Sequence, residues 1–220
     1  MSILGRLLGK SWLRLVGFRL EVAEPLPARC VLVAGPHTSN WDLPLALACA
    51  WITELPFHWL AKHTIFRPPF GWVFRAWGGI AVDRRESHHM VDDLVALIRA
   101  QDRIALTMAP KGTRSARDYW KSGFYHVALA ANVPVCLAYV DYGRKAVGLG
   151  PVIALTGDVR ADMDEIRAFY EDIRGKYPEL EHEPRLREED AAPTPQEQRV
   201  GYTPQCAKRS ASQDGGRETP

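Results

Sequence analysis

What this 220-residue sequence lacks narrows it first. It lacks an excess of one charge: 28 lysines and arginines stand against 26 acids, a formal net charge of +2. A dedicated nucleic-acid binder carries a large basic excess, so no nucleic-acid partner is expected. It lacks paired cysteines. Cys30, Cys49, Cys136 and Cys206 show neither CxxC nor metal-ligand spacing, and three of them lie in apolar runs. That reads as buried thiols in a reducing compartment. It lacks the run of ~18 uninterrupted apolar residues that a spanning helix needs. The nearest stretch, Leu43 to Leu60, is broken by Pro44, Glu54 and Pro56. The basic start of the chain has no continuous apolar stretch and no small-residue cleavage site, so no secretory signal is read there. No repeat is visible either.

What is present suffices for one domain and a tail. Hydrophobic residues make up 46% and charged residues 25%, which permits a sizeable core and excludes wholesale disorder. Seven tryptophans are many for this length, and Trp favours both cores and the boundary between apolar and polar media. The small net charge hides a gradient: the first 130 residues hold +6 and the last 90 hold −4. Such asymmetry points to an anionic partner met by the N-terminal part.

Residues 3–20 read as a helix. At about 100° per residue, Arg6, Lys10 and Arg14 fall on one narrow stripe, and Leu4, Leu7, Leu8, Trp12, Leu15, Val16 and Phe18 cover a broad opposite arc. An in-plane membrane helix requires this arrangement. An ordinary helix packed on the domain, its basic residues solvated, shows it too, and one helix can do both.

From residue 28 short β-rich runs alternate with helical ones. Strands are expected at Cys30–Gly35, Phe57–Ala61, Ile80–Val82, Arg103–Met108 and Pro134–Val140. Helices are expected at Trp41–Thr53, Phe70–Trp77, Ser87–Ala100, Ser122–Ala131 and Asp162–Lys176. Asp162, with Glu165 three residues on, is expected to open the last helix as a capping box. This alternation implies an α/β fold, a mostly parallel sheet with helices on both faces. After about His182 large apolar residues nearly vanish and prolines accumulate. The expected layout is an amphipathic helix over 1–20, a folded domain over 21–182 and a disordered tail over 183–220.

Four constellations carry chemistry. The first is Gly35-Pro36-His37-Thr38-Ser39-Asn40-Trp41-Asp42. A strand ends at Gly35, His37 follows in the turn, and Ser39 or Asn40 is placed to cap a helix with Asp42 in its first turn. An imidazole thus reaches the carboxyl edge of a parallel sheet, where such sheets bind ligands. A carboxylate folded back from the helix start can accept its Nδ1–H, leaving Nε2 to take a proton. His88 and Asp93 share the same spacing, but His88 falls inside a helix with no strand feeding it. It reads as a surface histidine. The second constellation is Gly78-Gly79-Ile80-Ala81-Val82-Asp83-Arg84. The third is Pro110-Lys111-Gly112-Thr113-Arg114-Ser115, whose glycine, hydroxyls and cations suit a phosphate ester. The fourth is Val133-Pro134-Val135, opening a strand.

In order and spacing these blocks resemble the glycerolipid acyltransferases typified by lysophosphatidate acyltransferase. That family is marked by HxxxxD, then a block ending in Arg, then EGTRS, then a V-P pair. Here these are His37…Asp42, Gly79…Arg84, Lys111 to Ser115, and Val133-Pro134. The stretches Ala61-Lys62, Phe66 to Gly71 and Trp120 to Gly123 also look like the family's, and the resemblance covers about residues 10–178. It implies that His37 is the general base for a lipid hydroxyl, oriented by Asp42. It implies that Arg84, Gly112, Thr113 and Arg114 bind the acceptor's phosphate. The donor is then acyl-CoA or acyl carrier protein, with no metal, no cofactor and no covalent acyl-enzyme. The implied setting is the cytoplasmic face of a membrane, as a peripheral protein. One departure stands out: the family's third block normally begins with Glu, and here it begins with Lys111. Lys111 either adds a phosphate contact and changes the acceptor, or removes a needed acceptor of hydrogen bonds and impairs catalysis. The expected activity is acyl transfer to a lysophospholipid such as 1-acylglycerol-3-phosphate. The alternatives are another lysolipid acceptor or an impaired lipid-binding homologue.

Overall fold

Along the segment from Arg29 to Gly35, Val31 and Val33 enter one apolar cluster, and Cys30 and Leu32 enter another. Side chains alternate faces along a strand, and all four are at most 2% exposed, so this strand is covered on both sides. A computed structural model describes residues 3–23, 25–82, 89–113 and 118–190. Its strands are β1 (Arg19–Val22), β2 (Arg29–Gly35), β3 (Phe57–Lys62), β4 (Gly79–Val82), β5 (Ile104–Met108), β6 (Val135–Asp141) and β7 (Ala146–Ile153). They form one sheet in the order β1-β7-β6-β2-β5-β3-β4. Every neighbouring pair is parallel except β6 with β7.

The helices are α1 (Ile3–Val16), α2 (Asp42–Thr53), α3 (Gly71–Ala76), α4 (Met90–Ala100), α5 (Gly123–Ala131) and α6 (Val159–Tyr170). Leu13 of α1 and Leu45, Ala48 and Cys49 of α2 bury against Cys30 and Leu32. On the opposite face α4 contributes Leu94, Val95 and Ile98, α5 contributes Phe124 and Val127, and α6 contributes Met163, Ile166 and Tyr170. These sit three or four positions apart, the spacing that makes one helix face apolar. Helices α2 and α5 stop where Glu54 and Asn132 take left-handed backbone, φ 56° and 54°. Short α3 brings Phe74 against Trp59, Phe66 and Trp77.

The expected α/β architecture is present, with four corrections. The first helix ends at Val16, and Arg19–Val22 pairs with β7 as an edge strand. Strand β7 lies outside the strands expected from the sequence; Gly148, Gly150 and Pro151 interrupt its apolar run. Those two glycines sit where the backbone is approached closely: a Cβ at Gly148 meets the Glu21 carbonyl oxygen at 2.1 Å, and one at Gly150 meets the Phe169 ring at 2.3 Å. The last helix is Val159–Tyr170, capped by Asp158, whose carboxylate accepts from the amides of Arg160 and Ala161. Asp162 is buried and turned away from that role; it accepts from Thr156, Gly157 and the Tyr125 hydroxyl. Finally, residues 183–190, expected to begin the tail, pack on the domain. Leu186 is fully buried and bridges Trp120. Residues 191–220 lie outside the described residues.

Candidate active site

Register places the site. Strand β2 pairs Val33 with Met108 of β5 and Gly35 with Tyr139 of β6. The carboxyl ends of these three strands therefore lie along one edge, and the turns leaving them carry His37, Lys111 to Thr113, and Tyr142. Open parallel sheets bind ligands at this edge.

His37 donates its Nδ1–H to Oδ2 of Asp42 at 2.9 Å. A carboxylate only accepts, so Nδ1 carries a proton, and in the neutral ring Nε2 keeps its lone pair. The same Oδ2 accepts the Ser39 amide at 3.0 Å, and Oδ1 accepts the Tyr142 hydroxyl at 2.9 Å. Asp42 is buried, so these three donors compensate a charge withdrawn from water. Burial first, and the Asp42 charge second, push the Tyr142 phenol well above its ordinary range. It stays a donor at any working pH. Asp42 is the first residue of α2, as expected, but the cap differs: the Ser39 hydroxyl accepts from Trp41, and the helix begins without a side-chain cap.

The third block turns sharply. The Gly112 amide donates to the Ala109 carbonyl at 2.9 Å, and Gly112 takes φ +65°. A Cβ there meets Cε of Lys121 at 3.0 Å, so the absent side chain lets Lys121 fold over the turn. Lys121, which carried no assigned role in the sequence, lines the same cavity as His37, Gly112 and Thr113. Lys111 goes elsewhere. Only 4% exposed, it donates to the Leu180 carbonyl at 2.5 Å, inside a small pocket of about 40 Å³ shared with Trp120, Glu181 and His182. Burial lowers its tendency to hold a proton, and the charges of Glu181 and Asp42 act against that loss. Arg84 and Arg114 lie outside the described residues.

The large cavity has a volume of about 1490 Å³, above the roughly 300–1,000 Å³ of ordinary small-molecule sites. Apart from the polar groups already named, its walls include Leu32, Leu47, Trp59, Phe74 and, from α1, Trp12 and Leu15. It can hold a long apolar chain with one end at the His37 imidazole. Among the described residues no group of three or more His, Cys, Asp or Glu is placed to hold a metal ion.

Tyr142 is the residue that sequence reading missed. It follows Asp141 directly at the end of β6, on the edge where ligands of such sheets collect, and that position was the available signal.

Fold and site together define an α/β protein with a hydrogen-bonded histidine–aspartate pair at the carboxyl edge of its sheet, beside a large, mostly apolar cavity. Its family follows from residues 17–140, which match the family model described as Acyltransferase: the chain belongs to that family. The chain is 29% identical over 145 residues to a 1-acyl-sn-glycerol-3-phosphate acyltransferase of Salmonella typhimurium, a match covering 61% of this chain and 58% of that protein. The Escherichia coli protein of the same name is 28% identical over the same shares. The chain thus spans 58% of the length of these curated relatives. Its fold is similar to the crystal structure of the 1-acyl-sn-glycerophosphate acyltransferase of Thermotoga maritima, with a TM-score of 0.50, 18% identity, and coverage of 76% of this chain and 73% of that one.

Proposed function

We propose that this protein moves a fatty acyl group from a thioester, acyl-CoA or acyl carrier protein, to the free hydroxyl of a lysophospholipid such as 1-acylglycerol-3-phosphate. The observation that carries this reading is the His37–Asp42 pair lining an apolar cavity large enough for an acyl chain. An alcohol does not ionise at neutral pH, so a base must take its proton during attack. Nε2 of His37 takes it as the hydroxyl oxygen attacks the thioester carbon. The imidazolium so formed is stabilised by Asp42. The C–S bond then breaks, and His37 returns the proton to the departing thiolate. A new ester and a free thiol result. Holding both substrates side by side supplies a further part of the rate. Gly112 and Thr113, with Lys121 folded over them, face the acceptor's phosphate, and Arg84 and Arg114 are assigned to the same phosphate from the motif they occupy.

The setting follows from α1. Gly9 and Leu13 are buried, and Ile3, Leu4, Leu7, Leu8 and Leu15 stay exposed. Phe70 and Trp72 at the start of α3 are exposed as well, and Leu8, Leu15 and Phe70 border the large cavity. Together with Lys10 and Arg14 this surface fits an anionic membrane. Among the described residues no helix is long and apolar enough to cross one.

The test is thiol release from acyl-CoA and from acyl carrier protein across a panel of lysolipids, with products identified by mass spectrometry. Release that needs both His37 and a lysophospholipid supports the reading. Equal release by wild type and His37→Ala with every acceptor refutes it.

A further inference from the structure

The segment from Arg174 to Glu181 runs past the catalytic turn as a strap. The Tyr142 amide donates to the Arg174 carbonyl at 2.7 Å, and the Tyr177 amide donates to the Thr38 hydroxyl at 3.3 Å. The Lys176 ammonium lies over the Trp41 ring, 5.3 Å from its centroid. Thr38 and Trp41 fall between the general base and Asp42 in the sequence, and Tyr142 is the hydroxyl that holds Asp42. The strap therefore touches residues beside every member of the catalytic hydrogen-bond chain. Gly175 permits the approach: a Cβ there meets the Thr38 hydroxyl at 2.6 Å and the Glu181 carboxylate at 2.9 Å.

The strap needs its own anchor. Its far end is tied at two places. Glu181 accepts from the Gly175 amide and so closes the strap on itself. Lys111 donates to the Leu180 carbonyl and faces the charge of Glu181. Lys111 is the one residue of the third block whose family counterpart is normally an acid. An acid at this position repels Glu181 and has no proton to give a carbonyl.

We propose that Lys111 is a positioning residue: it pins the Leu180–Glu181 end of the strap, and through the strap it holds the His37 turn and Tyr142 in register with Asp42. It does not contact the acceptor. The charge reversal at position 111 thus places a cation in the pocket that Glu181 lines and is compatible with turnover. This rests on the acyl-transfer reading for its kinetic consequence only.

Two measurements on the full chain separate the ideas. Backbone amide exchange is compared for wild type, Lys111→Met, Lys111→Gln and Lys111→Arg. The expected result is faster exchange over 175–182 and 37–41 in Lys111→Met, unchanged protection in β2, β5 and β6, and recovery in Lys111→Arg. Lys111→Gln is the milder change of the same contact, and it is expected to fall between wild type and Lys111→Met. It carries the comparison if Lys111→Met loses protection throughout. Steady-state kinetics then read kcat against the acceptor's KM. A positioning role lowers kcat about tenfold in Lys111→Met with KM within about twofold, and Lys111→Arg restores most of it. A raised acceptor KM with unchanged kcat and unchanged strap exchange overturns the proposal. Wild type inactive on every acceptor overturns the functional reading alone, because the exchange experiment still decides the strap.

Discussion

Tyr142 and Asp42 are 100 residues apart in sequence and 2.9 Å apart in the fold, the phenol donating to the carboxylate oxygen that His37 leaves unused. The carboxylate is thereby held at both oxygens, and the imidazole inherits its orientation. Removing the phenolic oxygen deletes one hydrogen bond to a charged group, worth about 1.5–3 kcal/mol when intact. His37 and the Ser39 amide still hold the carboxylate, so Tyr142→Phe is expected to lower kcat about 3- to 10-fold. The acceptor's KM stays near its wild-type value, since Tyr142 acts through Asp42. A raised KM with unchanged kcat would falsify this role.

On the proposed reading His37, as the general base, is the larger lever. General-base catalysis contributes about 10²–10⁴-fold, and His37→Ala is expected to lose that much in kcat. Asp42→Asn keeps the shape but removes the anion that stabilises the imidazolium and that fixes the ring's tautomer, so it is expected to fall in the upper half of that range. Circular dichroism of both variants matching wild type attributes the loss to chemistry. Activity within twofold in Asp42→Asn removes Asp42 from the mechanism.

The His37–Asp42 corner was legible in the sequence because it is local. Four residues between His37 and Asp42, a strand before and a helix after, specify a strand–turn–helix corner without tertiary information. Alternation of apolar runs likewise gave five of the seven strands within a residue or two of their ends. Strand β7 was illegible because its two glycines make room for Glu21 and Phe169, residues distant in the chain. Tyr142 and the strap were illegible for the same reason: their meaning lies in contacts with Asp42 and Thr38, which no periodicity encodes. Lys111 could be recognised as a departure. Its direction, away from the cavity and onto Leu180, required the fold.

Gly35 links the core to the site. A Cβ there meets the Tyr170 ring at 3.0 Å, and Tyr170 donates its hydroxyl to the carbonyls of Val33 and Ala138. Gly35→Ala must push that ring aside or shift the strand end two residues before His37. Overpacking of this kind costs about 1–3 kcal/mol. Urea denaturation is expected to show that loss, and kcat is expected to fall with it. Wild-type stability together with wild-type kcat means that the ring yields freely and the turn is insensitive to β2.

Stability should depend on acid through Glu21. Its carboxylate accepts from the Tyr139 hydroxyl at 2.5 Å and from Arg19 at 2.6 Å, with Arg144 at 3.7 Å. Led by the Tyr139 hydrogen bond, these hold its pKa below the ordinary value of 4.5. The folded state therefore releases this proton more readily than the unfolded chain. The stabilisation is complete above pH 4.5 or so and disappears as pH falls through the lower folded value. Glu21→Gln is expected to be less stable than wild type at neutral pH, with the gap closing as pH falls below the ordinary value of 4.5 and through the lower folded one. A gap that stays constant from neutral pH into acid assigns the effect to packing.

The exposed face of α1 makes the sharpest cellular prediction. Five large aliphatic side chains of that helix face outward, from Ile3 at 80% exposure to Leu8 at 52%, with Lys10 and Arg14 on the same helix. Apolar insertion and electrostatic attraction respond differently to salt, so they can be separated. Replacing Lys10 and Arg14 with Gln is expected to weaken binding to anionic vesicles by ~1 kcal/mol for each charge, and high salt should abolish the difference between variant and wild type. Replacing Leu4 and Leu7 with Glu is expected to abolish binding at any salt, because it adds charge to the inserted face. Trp72→Ala on α3 is expected to weaken binding without altering the salt dependence, Trp being at home at the lipid headgroup level. Vesicle sedimentation reads all three. Binding that survives the paired leucine changes assigns α1 to structure alone, and leaves the acceptor to reach the cavity from solution.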